Sequence, residues 1–564
     1  MQRNVPIGQL LLENQMITLD QLNEALAKQK MQPGKRLGDI LVESGYVKEK
    51  DMLKVLSRKL NVPYIENPVF NVEMEAVHAV PEDTMAKCTK ILPLYIKDNV
   101  LYVATSDPLD FYALEDVRMA TGMHVECVLS GKKEIEAARD KVLAKVNTSE
   151  AADVLNADAG ETVVNVEDEA MNERIDSAPV VKLLNNIITE AIQANASDIH
   201  IEPQENRVVV RFRIDGDLRD NIVLQSNVHP LLITRLKIMS GMNIAEKRVP
   251  QDGRFKFVHG VSEIDMRVSS LPTIYGEKIV LRLLGVNQDV SYNFDDMGFS
   301  PKSIRLIRDL SKYSNGIILA TGPTGSGKTT TLYAMLKEII NPKLNIVTVE
   351  DPVEKRISGV NQVQVNTKAG LTFAGGLRSI LRQDPDVIMI GEIRDAETAE
   401  IAVRASITGH LVISTLHTND SFSAIARLMD MGIEPYLLAD TIRGVLAQRL
   451  VKRICPHCRT TRPITEEERL LLHDNSISSV AYGKGCQLCG DTGYKGRIAA
   501  VELWKMNSDI KQTIMQKGAD AAAIKACALK HPEDVVTMRE EVVSLVKNGT
   551  TTVEEAQRIL YSME

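Results

Sequence analysis

The sequence predicts a multidomain α/β protein built around a parallel-sheet nucleotide domain. Three observations carry this. Residues 322–329 read Gly-Pro-Thr-Gly-Ser-Gly-Lys-Thr, set between the apolar run Ile317-Ile318-Leu319-Ala320 and a helix-forming stretch from Thr330 to Ile340. Apolar runs ending in acids or a histidine recur further on. Two Cys-x-x-Cys pairs, Cys455/Cys458 and Cys486/Cys489, stand in the C-terminal third. A strand, a Gly-rich turn and a helix in that order form a phosphate-binding loop: glycines let backbone N–H groups close on phosphates, and the helix points its positive end at them. A chance Gly-rich turn would not come with both flanks.

The length of 564 residues suggests about three or four domains. The net charge of −8 gives no concentrated basic face of the kind nucleic-acid binders show. No apolar run approaches the ~20 residues of a membrane span, and Met-Gln-Arg-Asn-Val-Pro lacks a signal-peptide core. A cytoplasmic chain is expected, peripheral at a membrane only through partners. Seven cysteines, an odd number, argue against a disulfide framework.

The elements follow in order. Residues 1–60 hold a repeat: Ile7-Gly8-Gln9-Leu10-Leu11-Leu12-Glu13 aligns with Leu37-Gly38-Asp39-Ile40-Leu41-Val42-Glu43, and each copy runs into a helical pattern, Leu22 to Gln29 and Met52 to Lys59. Two small helical hairpins that bury their apolar faces on each other are expected. Residues 61–146 mix β-rich and helical segments, an α+β pattern. Residues 147–176 carry acids at Glu150, Asp153, Asp158, Glu161, Glu167, Asp168 and Glu169, separated mostly by small and polar residues. This reads as an acidic flexible linker, with a solvated acidic helix as the alternative. Residues 177–297 form a second α+β domain, with a helix from Pro179 to Ala194 and a strand over 207–214 ending in Asp215-Gly216. The nucleotide domain spans 298–450, the cysteine insertion 451–500, and a helical tail 501–564, with Thr552-Val553-Glu554-Glu555 as a capping box.

Within the phosphate loop, Gly322, Pro323, Thr324, Gly325, Ser326, Gly327, Lys328, Thr329 and Thr330 are the nucleotide-binding candidates. Lys328 can reach the β- and γ-phosphates and the Thr329 hydroxyl can ligate Mg²⁺. Val347-Thr348-Val349 runs into Glu350, Asp351 and Glu354; Val387 to Ile390 delivers Glu392; Leu411 to Leu416 delivers His417. Acids at the C-terminal ends of such strands face the ligand crevice, where one can hold the Mg²⁺ shell and another orient the attacking water. His417 can sense the γ-phosphate or serve as a structural hydrogen-bond partner. Four thiolates at Cys455, Cys458, Cys486 and Cys489 fit a closed, structural tetrahedral Zn²⁺ site, with redox or free thiols as the alternative.

These boxes around one phosphate loop, together with Ala196-Ser197-Asp198-Ile199-His200-Ile201-Glu202-Pro203, Val249-Pro250-Gln251-Asp252-Gly253-Arg254 and Asp265-Met266-Arg267-Val268-Ser269-Ser270-Leu271-Pro272-Thr273, resemble the ATPase superfamily of type II secretion and type IV pili over residues 177–564. The resemblance implies a RecA-like ATPase core preceded by a small PAS-like α+β lobe, with a zinc-binding insertion, assembled as a homohexamer. It implies ATP and Mg²⁺ as ligands, Glu354 as the catalytic glutamate, Glu392 in a Walker-B-like role, and Arg267 and Arg282 as phosphate-facing arginines. Arg378 and Arg382 are interface candidates, with surface ion pairs as the alternative. The implied partners are an inner-membrane platform protein and a cytoplasmic accessory ring protein, with no nucleic acid. The expected work is type IV pilus assembly; type II secretion is the nearest rival. A DNA motor and a non-hydrolysing scaffold are the rivals from other classes. The zinc insertion accompanies assembly and secretion motors in that superfamily.

The N-terminal repeat resembles the cyclic di-GMP-binding domain attached to some of these ATPases. The second copy keeps Arg36, Leu37, Gly38 and Gly45 but ends at Lys59; the first has Pro6 for the arginine and Gln15 for the second glycine, and keeps Gln29. Asp107 matches an acid of the following domain. The missing arginine weakens guanine or phosphate recognition, and a docking module is the alternative.

Overall fold

The structure, a computed structural model, describes residues 5–32, 35–158, 178–260, 262–285, 292–516 and 520–562. It divides into two compact units, Met1–Leu283 and Leu284–Glu564.

The first unit opens with α1 (Ile7–Glu13), α2 (Leu19–Met31), α3 (Leu37–Glu43) and α4 (Glu49–Leu60). Equivalent leucines of the two repeats, Leu11 and Leu41, are fully buried in one apolar cluster. Contacts cross the repeat, α1 with α4 and α2 with α3, so neither copy closes its core alone. Next come β1 (Ile91–Lys97), β2 (Val100–Thr105) and β3 (His124–Leu129) in a sheet of order β1-β2-β3.

The segment read as a linker from 147 is helical at its start. Helix α5 runs Lys132–Asp158 without a break. Its small residues are the reason: Ala144, Ala151 and Ala152 are buried, and the helix packs against α6 (Ala178–Gln193). Spaced acids on an Ala-rich stretch leave one face free to pack. Residues 159–176, the remainder of that segment, lie outside the described residues, as does residue 177. After α6, strands β4 (Asp198–Pro203), β5 (Arg207–Ile214), β6 (Asp217–Gln225), β7 (Gln251–His259), β8 (Ser262–Thr273) and β9 (Gly276–Leu284) form a six-stranded sheet of order β6-β5-β4-β9-β8-β7.

The second unit is organised by an eight-stranded sheet. Its strands are β10 (Gly316–Thr321), β11 (Ile346–Glu350), β12 (Asn361–Gln364), β13 (Val387–Ile390), β14 (Leu411–Leu416), β15 (Ile442–Ile454), β18 (Tyr494–Lys505) and β19 (Val535–Val536), in the order β12-β11-β13-β14-β10-β15-β18-β19. From β12 to β15 neighbouring strands are parallel, and β10, β11, β13 and β14 are buried along their whole length, as strands covered on both faces must be. β15 and β18 pair antiparallel from Gly444↔Lys505 to Ile454↔Tyr494.

This pairing corrects the expected boundaries at 450, 451, 500 and 501. The mostly buried stretch Val445 to Val451, apolar but for Gln448 and Arg449, continues β15 past 450, and β18 returns into the same sheet from Tyr494 to Lys505. The part outside the main sheet is residues 455–493, which contains a small ladder of β16 (Arg459–Pro463) and β17 (Ser479–Gly483). Nor is the tail wholly helical, since it begins in β18 and holds β19. Thr552 caps the last helix, α8 (Val553–Tyr561; α7 is Lys328–Ile339), through the Glu555 amide, but the reciprocal half of the box is absent. The Glu555 carboxylate instead accepts from the Lys452 amide at 2.9 Å, binding the tail to β15.

No helix among the described residues is long and apolar enough to cross a membrane. The single tryptophan, Trp504 on β18, is fully buried and stacks on Phe422, ring centroids 5.9 Å apart and 7° from parallel. Phe422→Ala is expected to cost about 3–5 kcal/mol of stability in the second unit. Trp504 fluorescence reports it directly: the emission should shift to the red and the melting midpoint fall. An unchanged spectrum and midpoint would contradict the packing described.

Candidate nucleotide and metal sites

Parallel register brings the site together. β10 lies between β14 and β15, with Thr321 opposite Leu416 on one side and Ala447 on the other. The residues that follow, Gly322 and His417, therefore leave neighbouring strands at the same edge. β13 pairs with β14 through Ile390↔Ser414 and with β11 through Val349↔Ile390, so Glu392 and the Glu350–Glu354 turn leave along that edge too. This is the C-terminal end of the parallel strands, where ligand crevices form.

Gly322, Gly325 and Gly327 hold φ of +138°, +77° and +87°, and Gly327 caps α7. At Gly322 the requirement is double, because a Cβ there would stand 2.5 Å from the Gln448 carbonyl oxygen. Pro323, Thr324 and Gly325 are exposed, Thr329 and Thr330 half-buried, and Ser326 buried with no partner for its hydroxyl. Lys328 is buried; its ammonium donates to the Gly322 and Pro323 carbonyls at 2.7 and 3.0 Å. Burial pushes its pKa down, Glu392 pulls it back up, and Arg449 adds to the fall.

Glu392 accepts from Arg394 Nη2 at 2.5 Å and lies 3.0 Å from His417 Nε2. Burial raises its pKa, but Arg394 and His417 outweigh that and hold the carboxyl below its ordinary value. A carboxylate is thus kept charged beside the phosphate loop. Glu350, the first acid of its box, is consumed internally. It is buried and accepts from Tyr333 Oη and Thr348 Oγ1, both at 2.5 Å, and from Gln362 Nε2 at 3.1 Å. Burial first, then the hydrogen bond to Glu350, drives the Tyr333 pKa strongly upward. Glu354 is exposed, with its amide donating to Tyr333 Oη at 3.3 Å. The buried pair so fixes the turn that presents Glu354.

Arg378 and Arg382 are engaged within the chain: Arg378 pairs with Glu397 at 2.5 Å, and Arg382 donates to the Arg378 carbonyl at 2.8 Å and Ser379 Oγ at 3.2 Å. Arg267 on β8 and Arg282 on β9 belong to the first unit, where Arg267 is exposed and Arg282 Nε donates to Asp198 Oδ1 at 3.0 Å. Also in that unit, Arg36 Nη1 and Asp107 Oδ1, distant in sequence, meet at 2.5 Å with the arginine side chain half exposed. Gln29 Nε2 donates to the Lys35 carbonyl at 3.0 Å. Leu37 and Gly38 form the first turn of α3, with Gly38 against Met52 of α4.

Cys455 follows β15 directly, and its Sγ lies 3.8 Å from that of Cys486; Cys458 and Cys489 are 3.9 Å apart, Cys486 and Cys489 3.7 Å. A tetrahedron with metal–sulfur bonds of about 2.3 Å sets its sulfurs about 3.8 Å apart. Amides of Cys486 and Gly493 donate to Cys489 Sγ at 3.2 and 3.3 Å; despite burial, these bonds bring its pKa to about 7, while burial pushes Cys458 up to about 12. Among the described residues these four cysteines are the one cluster with such spacing. The donor set fits a four-thiolate metal centre.

Sequence reasoning overlooked Arg394, Gln448 and Arg449. The signal for the last two was present: two polar residues interrupt the buried apolar run of β15, which costs free energy unless they are paired.

A family model described as type II/IV secretion system protein matches residues 173–558, and one described as MshEN domain matches 60–146. The chain belongs to the type II/IV secretion system protein family. It is an ATPase of that family. The chain is 39% identical to the type IV pilus assembly ATPase PilB of Myxococcus xanthus, over 97% of this chain and 98% of that one. It is 41% identical to the same-named protein of Thermus thermophilus over 93% of this chain, spanning 59% of that relative's length. Against the type II secretion system protein E of Aeromonas hydrophila it is 49% identical, over 68% of this chain and 76% of that one. The MshEN match falls on the β1–β3 domain, next to the helical repeat that the sequence reading likened to a cyclic di-GMP-binding module.

Proposed function

We propose that this chain hydrolyses ATP to drive assembly of a type IV pilus. The observation that carries the proposal is the convergence of Lys328, Glu392 and His417 on one sheet edge, in a chain alike over nearly its whole length to a pilus assembly ATPase. Lys328 leaves its two carbonyls to meet the β- and γ-phosphates. The Gly322–Gly327 amides and the start of α7 cradle the phosphates, and Thr329 and Glu392 would hold Mg²⁺ and its water shell. The ion supplies charge neutralisation on the phosphates when bound. Glu354 orients the attacking water, and His417, held by Glu392, faces the γ-phosphate. Arg267 and Arg282 are the small-lobe arginines for which the family resemblance implies a phosphate-facing role. The working form is a homohexamer in the cytoplasm, held at the inner membrane by a platform protein and an accessory ring protein. Arg378 and Arg382 exchange their internal partners for a neighbouring subunit. The second reading, a type II secretion motor, is favoured by the higher identity of the shorter match.

Lys328 and Glu354 serve different steps, so their variants separate. Glu354→Gln is expected to bind ATP and hydrolyse it on the order of 10² more slowly; Lys328→Ala is expected to lose binding itself. Steady-state turnover and equilibrium ATP binding measure the two. Near-normal turnover in Glu354→Gln would remove the glutamate from its role.

The four cysteines hold a structural Zn²⁺. Cys458→Ser should release the metal and loosen residues 455–493, since metal binding and local folding share one free energy, while ATP binding persists. Elemental analysis of wild-type protein that finds no zinc would end this reading.

The N-terminal module takes cyclic di-GMP, with Arg36 as a bidentate donor, Asp107 as a clamp, and Gln29, Leu37 and Gly38 lining the approach. The Arg36–Asp107 pair must open to admit it. Calorimetry on the full chain should give binding that Arg36→Ala abolishes; absence of heat at high micromolar ligand favours a docking module.

A further inference from the structure

Arg449 sits on β15 with 8% of its surface exposed, beside the phosphate loop. Its Nη2 donates to the Asn419 carbonyl at 2.6 Å and its Nη1 to the Gln448 carbonyl at 3.3 Å. The same Nη1 stands close to the first glycine of the loop, 3.3 Å from where a Gly322 Cβ would be. Asn419 lies two residues beyond His417. One buried guanidinium therefore touches the segment leaving β14 and borders the turn leaving β10. Burial disfavours its charge; the nearby carboxylates of Glu502 and Asp420 favour it.

The surroundings make this a built junction. Gln448 Oε1 accepts from Thr331 Oγ1 of α7 at 2.6 Å, in a fully buried contact. Glu502, opposite Ala447 in the β15–β18 ladder, accepts from the Ser421 amide and hydroxyl at 3.0 and 2.7 Å. The His417 segment is thus pinned at Asn419 by β15 and at Ser421 by β18. Core packing needs no cation there, and an aliphatic side chain would fill the strand position without the cost of burying charge.

We propose that Arg449 is a positioning residue for ATP hydrolysis, fastening the segment that carries His417 to β15, the strand that borders the phosphate loop, so that His417 keeps its place beside the loop when the γ-phosphate is bound and cleaved. The inference rests on the ATPase reading above. A planar guanidinium can serve two carbonyls at once; a lysine ammonium at the same position is a single point charge on a flexible stem. The bonds are within the protein, so the benefit lies in geometry reached during the reaction and less in ground-state affinity for ATP.

The test is steady-state ATPase kinetics of the full-length wild type, Arg449→Lys and Arg449→Ala, with melting curves for each and guanidinium or methylammonium added to the alanine variant. A loss of roughly 10- to 100-fold in kcat is expected for both variants, with KM for ATP changed less than about threefold. Guanidinium, and not methylammonium, should restore part of the rate to Arg449→Ala. Wild-type kcat in a folded variant, a raised KM with kcat intact, or a slow folded alanine variant indifferent to guanidinium would each overturn the proposal. If Arg449→Ala does not fold, the kcat of Arg449→Lys decides alone: a wild-type value overturns it. A wild type without turnover would instead refute the ATPase reading.

Discussion

Everything at the nucleotide site depends on the parallel register across β10. Thr321 is level with Leu416 on one side and Ala447 on the other, so the segments leaving β10 and β14 start at the same height, beside the Gln448–Arg449 stretch of β15. Shifting either neighbour by one residue would turn its side chains to the opposite face. The glycine turn, His417 and the Gln448–Arg449 pair would then no longer meet. Full burial of β10, β13 and β14 enforces this register, because no slipped pairing satisfies both apolar faces and the ladder hydrogen bonds. The chemistry is thereby delegated to residues just past the strand ends, where polar groups can point into a crevice without entering the core.

Much of this was legible in the sequence because it is local. The phosphate loop, the runs ending in Glu392 and His417, and the paired cysteines each declare themselves within a dozen or so residues. What stayed hidden depends on partners far along the chain. Glu555 looks like half of a capping box, but its carboxylate goes to the Lys452 amide. Acids after 147 look like loop, but Ala151 and Ala152 bury a helical face. A boundary at 450 fits the cysteine spacing, yet β15 runs on because β18 returns to pair with it. Glu350 and Glu354 are alike as letters; only the Tyr333 hydroxyl, buried between α7 and β11, distinguishes the acid that is locked from the acid that is presented.

The β15–β18 hairpin joins two centres of different kinds. Midway along, it contributes Gln448, Arg449 and Glu502 to the surroundings of the phosphate loop; at its far end, Ile454 leads into Cys455 and the cysteine cluster. Ten registered pairs make it the longest ladder in the second unit. The cysteine module is therefore built directly on the strands that back the nucleotide site. In the first unit the same economy is visible at smaller scale, where Arg36 from the helical repeat and Asp107 from the β1–β3 domain close one polar contact between two cores.

Lys328 carries a consequence for product exchange. Its ammonium already has two carbonyl acceptors inside its own turn, at 2.7 and 3.0 Å. When a spent nucleotide leaves, the cation need not be stranded without partners in a buried setting, a situation that would otherwise hold ADP in place. An ATPase that must release and rebind nucleotide at every turnover gains speed from such a parking position, and gives up some affinity for it.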